Sequence, residues 1–250
     1  METKVKLEIV PKAKTSVVLA SPEGKGDRVV LLLHGFMSSK ESDTNRSLTA
    51  RLLPRHIATC RFDFFGHGES DGPFQRLTLT RCLDQADGVL RWLKRSGYSR
   101  IGLVGSSFGG LVAIHTAARH PDLFAVGLKC PVSDYPSIWR GRLGEDGINR
   151  WKETGLLSFA TPEGKARLEW DFYEDLLRYD GYRAAGEIQS PTLIVHGDAD
   201  EYVPFDQSLR LLDALKGPKE FEAIAGANHD FSEPKDFEKM AARIAKWVGG

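Results

Sequence analysis

The sequence predicts an α/β fold: a mostly parallel, eight-stranded sheet with helices on both faces and one inserted lid. Three observations predict it. Short apolar runs recur along the 250 residues, several of them closing in a glycine-bearing loop. Between them lie stretches with the 3.6-residue period of an amphipathic helix. One interval, residues 133–185, is far longer than a strand-to-strand crossover requires.

Residues 4–10 and 15–20 alternate polar and apolar side chains, as a hairpin of half-buried strands does. Arg28-Val-Val-Leu-Leu-Leu-His34 is a continuous apolar run, the pattern of a parallel strand covered on both faces. Ile57–Phe62, Ile101–Val104 and Thr192–His196 repeat it, and Ala125–Cys130 and Glu220–Ile224 are weaker examples. A helix over 80–95 puts Cys82, Leu83, Ala86, Val89, Leu90 and Leu93 along one face. Helices over 107–119 and 234–248 do the same with Leu111, Ile114, His115 and Ala118, and with Phe237, Met240, Ala241, Ile244 and Trp247.

Residues 133–185 break this rhythm. Gly155-Leu-Leu-Ser-Phe-Ala, a Thr-Pro-Glu-Gly turn and Arg167-Leu-Glu-Trp-Asp-Phe-Tyr read as a β-hairpin flanked by helices. The expected division is therefore a core of residues 1–132 and 186–250, with 133–185 as the lid.

Bulk composition removes several function classes. Lys and Arg number 34, as do Asp and Glu, so no electrostatic footprint exists for nucleic acid or an anionic membrane, and neither is an expected partner. Cys60, Cys82 and Cys130 are widely spaced and odd in number; they read as small buried hydrophobes in a reducing compartment. No apolar leader or membrane-length run is present in the sequence, which sets the expectation of a cytoplasmic protein.

Gly105-Ser106-Ser107-Phe108-Gly109 is a G-x-S-x-G pentapeptide. At this glycine and serine content it would arise by chance in about one chain in six, so its context carries the weight. A buried strand leads in and a helix leads out. That turn presents the central serine at the carboxyl edge of the sheet, beside a helix N-terminus that favours negative charge. A serine nucleophile needs a base, and the base needs a carboxylate to set its tautomer. Gly197-Asp198-Ala199-Asp200-Glu201-Tyr202-Val203-Pro204 follows one predicted strand, and Gly226-Ala227-Asn228-His229-Asp230-Phe231 follows the last. His34-Gly35-Phe36 follows the first long apolar run, where the amide of Phe36 could join that of Phe108 to hold an oxyanion.

Five segments, HGFMSSK (34–40), RFDFFGHGESDG (61–72), GSSFGG (105–110), GDADEYVP (197–204) and GANHDF (226–231), resemble the α/β-hydrolase superfamily. Within it they look like the serine-aminopeptidase-like branch that contains the cinnamoyl (feruloyl) esterases. The likeness runs from Val29 to Trp247. It implies an α/β-hydrolase fold with a lid after the sixth strand, and a triad of Ser107, His229 and Asp200. Asp198, equally carboxylic, is the competing acid; the likeness to G-x-x-D-x-x-V favours Asp200. Homodimers are common in that branch, so a homodimer is a possible assembly.

The remaining histidines are given bland readings. His67 resembles a loop-organising position, His34 shapes the oxyanion loop, and His115 is a satisfied core histidine. His196 ends a buried strand, while His56 and His120 are loop or helix-end residues. No pair has metal-ligand spacing, so neither a metal nor a cofactor is expected.

Nine of the 24 aromatic residues fall in 133–185, among them Trp139, Trp151 and Trp170. They are the expected substrate-binding residues, forming an aromatic pocket wall; the bland alternative is that a small subdomain needs bulky side chains for its own core. The resulting expectation is a serine esterase acting on a small-molecule ester with a small or aromatic acyl group. A serine peptidase or acyl-thioesterase is the alternative, and a non-catalytic ligand-binding protein of the same fold is the remaining one.

Overall fold

The computed structural model describes residues 1–24, 26–161 and 164–250. The chain runs β1 (Glu2–Val10), β2 (Ala13–Ala20), β3 (Arg28–Leu33), α1 (Asp43–Leu52), β4 (Ala58–Phe62), α2 (Leu79–Arg95), β5 (Arg100–Ser106), α3 (Phe108–Arg119) and β6 (Val126–Lys129). It continues through α4 (Tyr135–Thr154), β7 (Leu156–Thr161), β8 (Gly164–Glu169), α5 (Trp170–Leu176) and α6 (Gly181–Ala185). It ends with β9 (Thr192–Gly197), α7 (Phe205–Ala214), β10 (Lys219–Ile224) and α8 (Pro234–Gly249).

Eight strands form one sheet in the order β1-β2-β4-β3-β5-β6-β9-β10. β1 and β2 pair antiparallel, β2 meets β4 antiparallel, and every later pairing is parallel. This is the mostly parallel eight-stranded sheet that the apolar runs predict. The run at β3 is continuous because both of its faces are covered. Val29, Leu31 and Leu33 belong to the core shared with α2 and α3, while Val30 and Leu32 belong to the one shared with α1 and α8. Cys60, Cys82 and Cys130 are buried and unpaired.

Two helices, α1 and α7, escape the hydrophobic periodicity. Their buried faces are largely polar: Thr44, Asn45 and Thr49 in α1, and Gln207 and Ser208 in α7. His115 corrects another expectation. It is buried, but its Nε2 has no protein partner among the described residues, and burial pushes its pKa down to about 4.

Between β6 and β9 the chain leaves the sheet. α4 is kinked at Gly144, whose backbone adopts φ 66° and ψ 172°. The antiparallel pair β7–β8 forms a separate two-stranded sheet; Pro162 and Glu163 of the expected turn lie outside the described residues. Leu157, Phe159 and Thr161 make up the more buried face of β7. Side-chain hydrogen bonds fasten the segment to the core. Asp175 accepts hydrogen bonds from the Thr80 amide (2.8 Å) and hydroxyl (2.6 Å), and Gln207 Oε1 accepts from the amides of Ser133 (2.9 Å) and Asp134 (3.0 Å). Among the described residues no helix is long and apolar enough to cross a membrane.

Candidate active site

The turn from β5 into α3 places Ser107 at φ 54° and ψ −118°, a conformation that a non-glycine residue holds only when its surroundings impose it. A Cβ at position 105 would fall on the Gly109 carbonyl oxygen. A Cβ at 109 would fall on the carbonyl oxygens of His34 and Leu33. The two glycines of the pentapeptide therefore let α3 press against the ends of β5 and β3. Hydrogen bonds then pin the strained residue. Its amide donates to the Lys129 carbonyl (2.9 Å), and its own carbonyl accepts from Gly110 (2.8 Å) and Val132 (3.1 Å).

The candidate acid and base, Asp200 and His229, come from the loops after β9 and β10. A Cβ on Gly197 would fall on the Ala227 carbonyl oxygen, so the glycine lets those loops touch. Asp200 is fully buried at its side chain. Its Oδ1 accepts the amides of Tyr202 and Val203, both at 2.8 Å, and its Oδ2 lies 2.6 Å from His229 Nδ1. Burial opposes the charge on Asp200, but the hydrogen bonds from His196, His229 and Val203 outweigh it and hold the carboxyl well below the usual range. Asp198, the competing acid, instead accepts the Gly226 amide at 2.6 Å and braces the turn. With Nδ1 against a carboxylate, His229 carries its hydrogen there, leaving Nε2 as the basic nitrogen. Ser107 and His229 line the same cleft.

The loop carrying Phe36 is clamped by two histidines and an ion pair. His34 Nε2 accepts the Phe64 amide (3.0 Å), and His67 Nε2 accepts the Met37 amide (3.2 Å). Burial, reinforced by the neighbouring His67, drives the His34 pKa down to about 3, and burial lowers that of His67. Lys40 and Asp63, both buried, pair at 2.6 Å, and Lys40 also reaches Glu69 at 2.8 Å. Burial works against the Lys40 charge, yet these carboxylates raise its pKa. The Met37 amide is thus spent on His67. By contrast, the amides of Phe36 and Phe108 meet no hydrogen-bond acceptor among the described residues, as donors reserved for an oxyanion would.

The cleft measures about 1410 Å³. Phe36, Tyr135, Trp139 and Phe159 line one side, and Phe159 of the β7–β8 hairpin stacks on Phe36 with ring centroids 6.3 Å apart at 28°. Trp139 is where the sequence places it, on the wall. Trp151 and Trp170 are not, which corrects that reading. Trp151 is fully buried, donates its indole N–H to the Leu168 carbonyl (3.1 Å), and packs against Trp139, Trp170 and Tyr173. Trp151 belongs to the core of the inserted segment, where a small unit must find apolar bulk, and the half-buried Trp170 packs against it.

Three residues near the site were missed by sequence reasoning. Lys129 donates its ammonium to the His229 carbonyl (2.9 Å) and lies over the Phe231 ring, while its own carbonyl holds the Ser107 amide. Glu201 Oε2 accepts the His229 amide at 3.2 Å. His196 lies 3.0 Å from Asp200 Oδ2. A lysine ending an apolar strand was the one visible signal; Glu201 and His196 had none beyond adjacency to the acid. Cys130, Asp200 and His229 bring potential metal-ligand atoms within 4.8 Å of one another. Asp200 and His229 already satisfy each other, however, and burial raises the Cys130 thiol pKa, so the grouping is a hydrogen-bonded one.

Comparison with known proteins gives the family and the fold. The model of the alpha/beta hydrolase family matches residues 30–243. An uncharacterized 31.7 kDa protein from the traX-finO intergenic region of Escherichia coli is 25% identical over 264 residues, covering 90% of this chain and 92% of the relative. The 2-hydroxy-6-oxo-6-(2'-aminophenyl)hexa-2,4-dienoic acid hydrolase of Metapseudomonas resinovorans is 25% identical over 219 residues, covering 77% of this chain and 74% of that enzyme. Among solved structures, Est1E from Butyrivibrio proteoclasticus with ferulic acid bound superposes with a TM-score of 0.84 at 23% identity. It covers 98% of this chain and 100% of Est1E.

Proposed function

Since the chain belongs to the alpha/beta hydrolase family, we propose that it is a serine esterase cleaving carboxylic esters with small or aromatic acyl groups. The observation that carries this reading is the buried Asp200–His229 hydrogen bond of 2.6 Å, in the cleft that also holds Ser107 and the unengaged Phe36 amide.

In the proposed cycle Ser107 Oγ attacks the ester carbonyl carbon while His229 Nε2 takes the hydroxyl proton. The charge that develops on the carbonyl oxygen is met by the amides of Phe36 and Phe108; such a donor is worth about 3–4 kcal/mol in the transition state. The C–O bond to the alcohol then breaks, and His229 returns the proton to the leaving oxygen. Water, deprotonated by His229, releases the acid from the acyl-enzyme and restores Ser107. Asp200 stays ionised throughout and steadies the imidazolium.

The aromatic side of the cleft supports the choice of acyl group. Flat rings at Phe36, Tyr135, Trp139 and Phe159 suit an aromatic acid better than a charged one. Est1E, solved with ferulic acid bound, shares this fold.

The test is hydrolysis of p-nitrophenyl esters from acetate to long acyl chains, and of methyl ferulate, beside Ser107→Ala. Wild type should turn over short and aromatic esters, and the variant should lose at least about 1,000-fold in kcat. Equal rates in the two proteins would remove Ser107 as nucleophile. Activity confined to thioesters or amides would keep the triad and replace the substrate.

A further inference from the structure

The carboxylate of Asp200 is shared by two imidazoles. His196, near the end of β9, is fully buried, and its Nε2 lies 3.0 Å from Asp200 Oδ2 and 3.3 Å from the Val203 carbonyl oxygen. Its Nδ1 lies 2.6 Å from the hydroxyl of Ser208 on α7, also fully buried. Two oxygen acceptors facing Nε2 assign the hydrogen to that nitrogen and leave Nδ1 to accept from Ser208. His229 Nδ1 approaches the same Oδ2 at 2.6 Å, while Oδ1 is occupied by the amides of Tyr202 and Val203.

Building on the serine-hydrolase reading above, we propose that His196 is a positioning residue of the active site, acting on His229 through Asp200. The chain of contacts runs Ser208–His196–Asp200–His229. It does two things that one imidazole on the acid would not. Together with the two amides on Oδ1, the His196 donor on Oδ2 leaves the carboxylate no tilt that keeps all its contacts, so Oδ2 is held where it faces His229. The second donor also takes a share of the negative charge at Oδ2, which sets how strongly Asp200 pulls on the His229 proton.

His196 is not an alternative base. Its two nitrogens are committed to Asp200 and Ser208, and it is absent from the lining of the cleft that holds Ser107. Its ring also packs 5.4 Å from Phe205, centroid to centroid, so a packing role is the competing explanation.

Two variants in the full chain separate these. His196→Leu removes the donor, whereas His196→Gln can still place an N–H near Asp200. Positioning predicts that Leu lowers kcat by about 10- to 100-fold with KM changed less than about twofold, and that Gln recovers most of the loss. The low-field proton NMR resonance of the His229 Nδ1–H should shift in Leu and return toward the wild-type value in Gln. If Leu leaves kcat and the resonance unchanged, or if both variants fall only in step with their folded fraction, His196 is packing and the proposal is overturned. The resonance requires no substrate. It therefore reads the His196–Asp200–His229 contact even if Ser107→Ala leaves hydrolysis intact, the outcome that would instead sink the serine-hydrolase reading.

Discussion

Two regions meet at the cleft and are held together by different means. At the carboxyl edge of the sheet, the residues around Ser107 sit on glycines with no room for a Cβ, and buried polar side chains fasten each loop to the next. Across the cleft, residues 133–185 add ring contacts to the hydrogen bonds that fasten them, and several of their glycines face open space. None of the seven histidines falls in residues 133–185, and His34, His67, His196 and His229 all lie at the edge. The edge fixes atoms to within a fraction of an ångström, which bond-making chemistry needs. The inserted segment supplies apolar rings to the cleft wall, and on the proposed function these are the part that can be exchanged ring for ring to change what enters.

A pair of glycine substitutions should break that comparison open. Gly109→Ala drives a methyl into the carbonyls of His34 and Leu33, displacing either the serine turn or the Phe36 loop. Esterase activity should fall by at least about 100-fold, and stability by about 2–3 kcal/mol in a denaturant titration. Gly141→Ala, within α4 and with nothing within 4 Å of its new methyl, should keep full activity and gain up to about 1 kcal/mol. Equal damage at the two positions would mean the regions do not differ in tolerance.

The histidine asymmetry yields the next effect. The folded pKa of His34 is depressed to about 3, against about 6.5 unfolded, so below pH 6.5 the unfolded chain binds a proton that the folded one refuses. Stability is fully present above that value and declines as the pH falls toward 3. His34 alone should remove about 2.5 kcal/mol between pH 7 and 4.5. His115, depressed to about 4, acts in the same direction. Chemical denaturation at the two pH values measures the difference; a protein as stable at 4.5 as at 7 would contradict the neutral-histidine clamp.

How much of this is written in the sequence follows the same divide. The serine turn is legible because its demands are local: a strand, two small residues and a helix must occur within a few positions. Asp200 and His229 are legible because strand ends bring their loops to one edge. His196 is illegible because its value depends on Asp200 and Ser208 converging around a side chain that reads only as the end of an apolar run. α1 and α7 hide because their buried faces carry Asn, Thr, Gln and Ser. In the inserted segment, aromatic content is plain, but which rings face the cleft depends on how α4, β7 and α5 pack. Trp151 is therefore buried and Trp170 packs against it, while Phe159, one residue of an alternating strand, forms the wall.

That last distinction gives the smallest effect and the sharpest one. Phe159 is half-buried and stacks on Phe36, so Phe159→Ala opens the aromatic side of the cleft without emptying a core. The ratio of kcat/KM for methyl ferulate to that for a short alkyl ester should drop about 10-fold, roughly 1.4 kcal/mol of discrimination. Stability should move by less than about 1 kcal/mol. Trp151→Phe should do the reverse. Its indole N–H on the Leu168 carbonyl is lost inside the inserted segment, leaving a cavity, at about 2 kcal/mol in stability. The ester ratio should stay within about twofold, because the residue does not touch the cleft. If Trp151→Phe alters selectivity as much as Phe159→Ala does, packing inside the segment is coupled to the wall. Substrate choice would then belong to the whole inserted segment rather than to the rings that face Ser107.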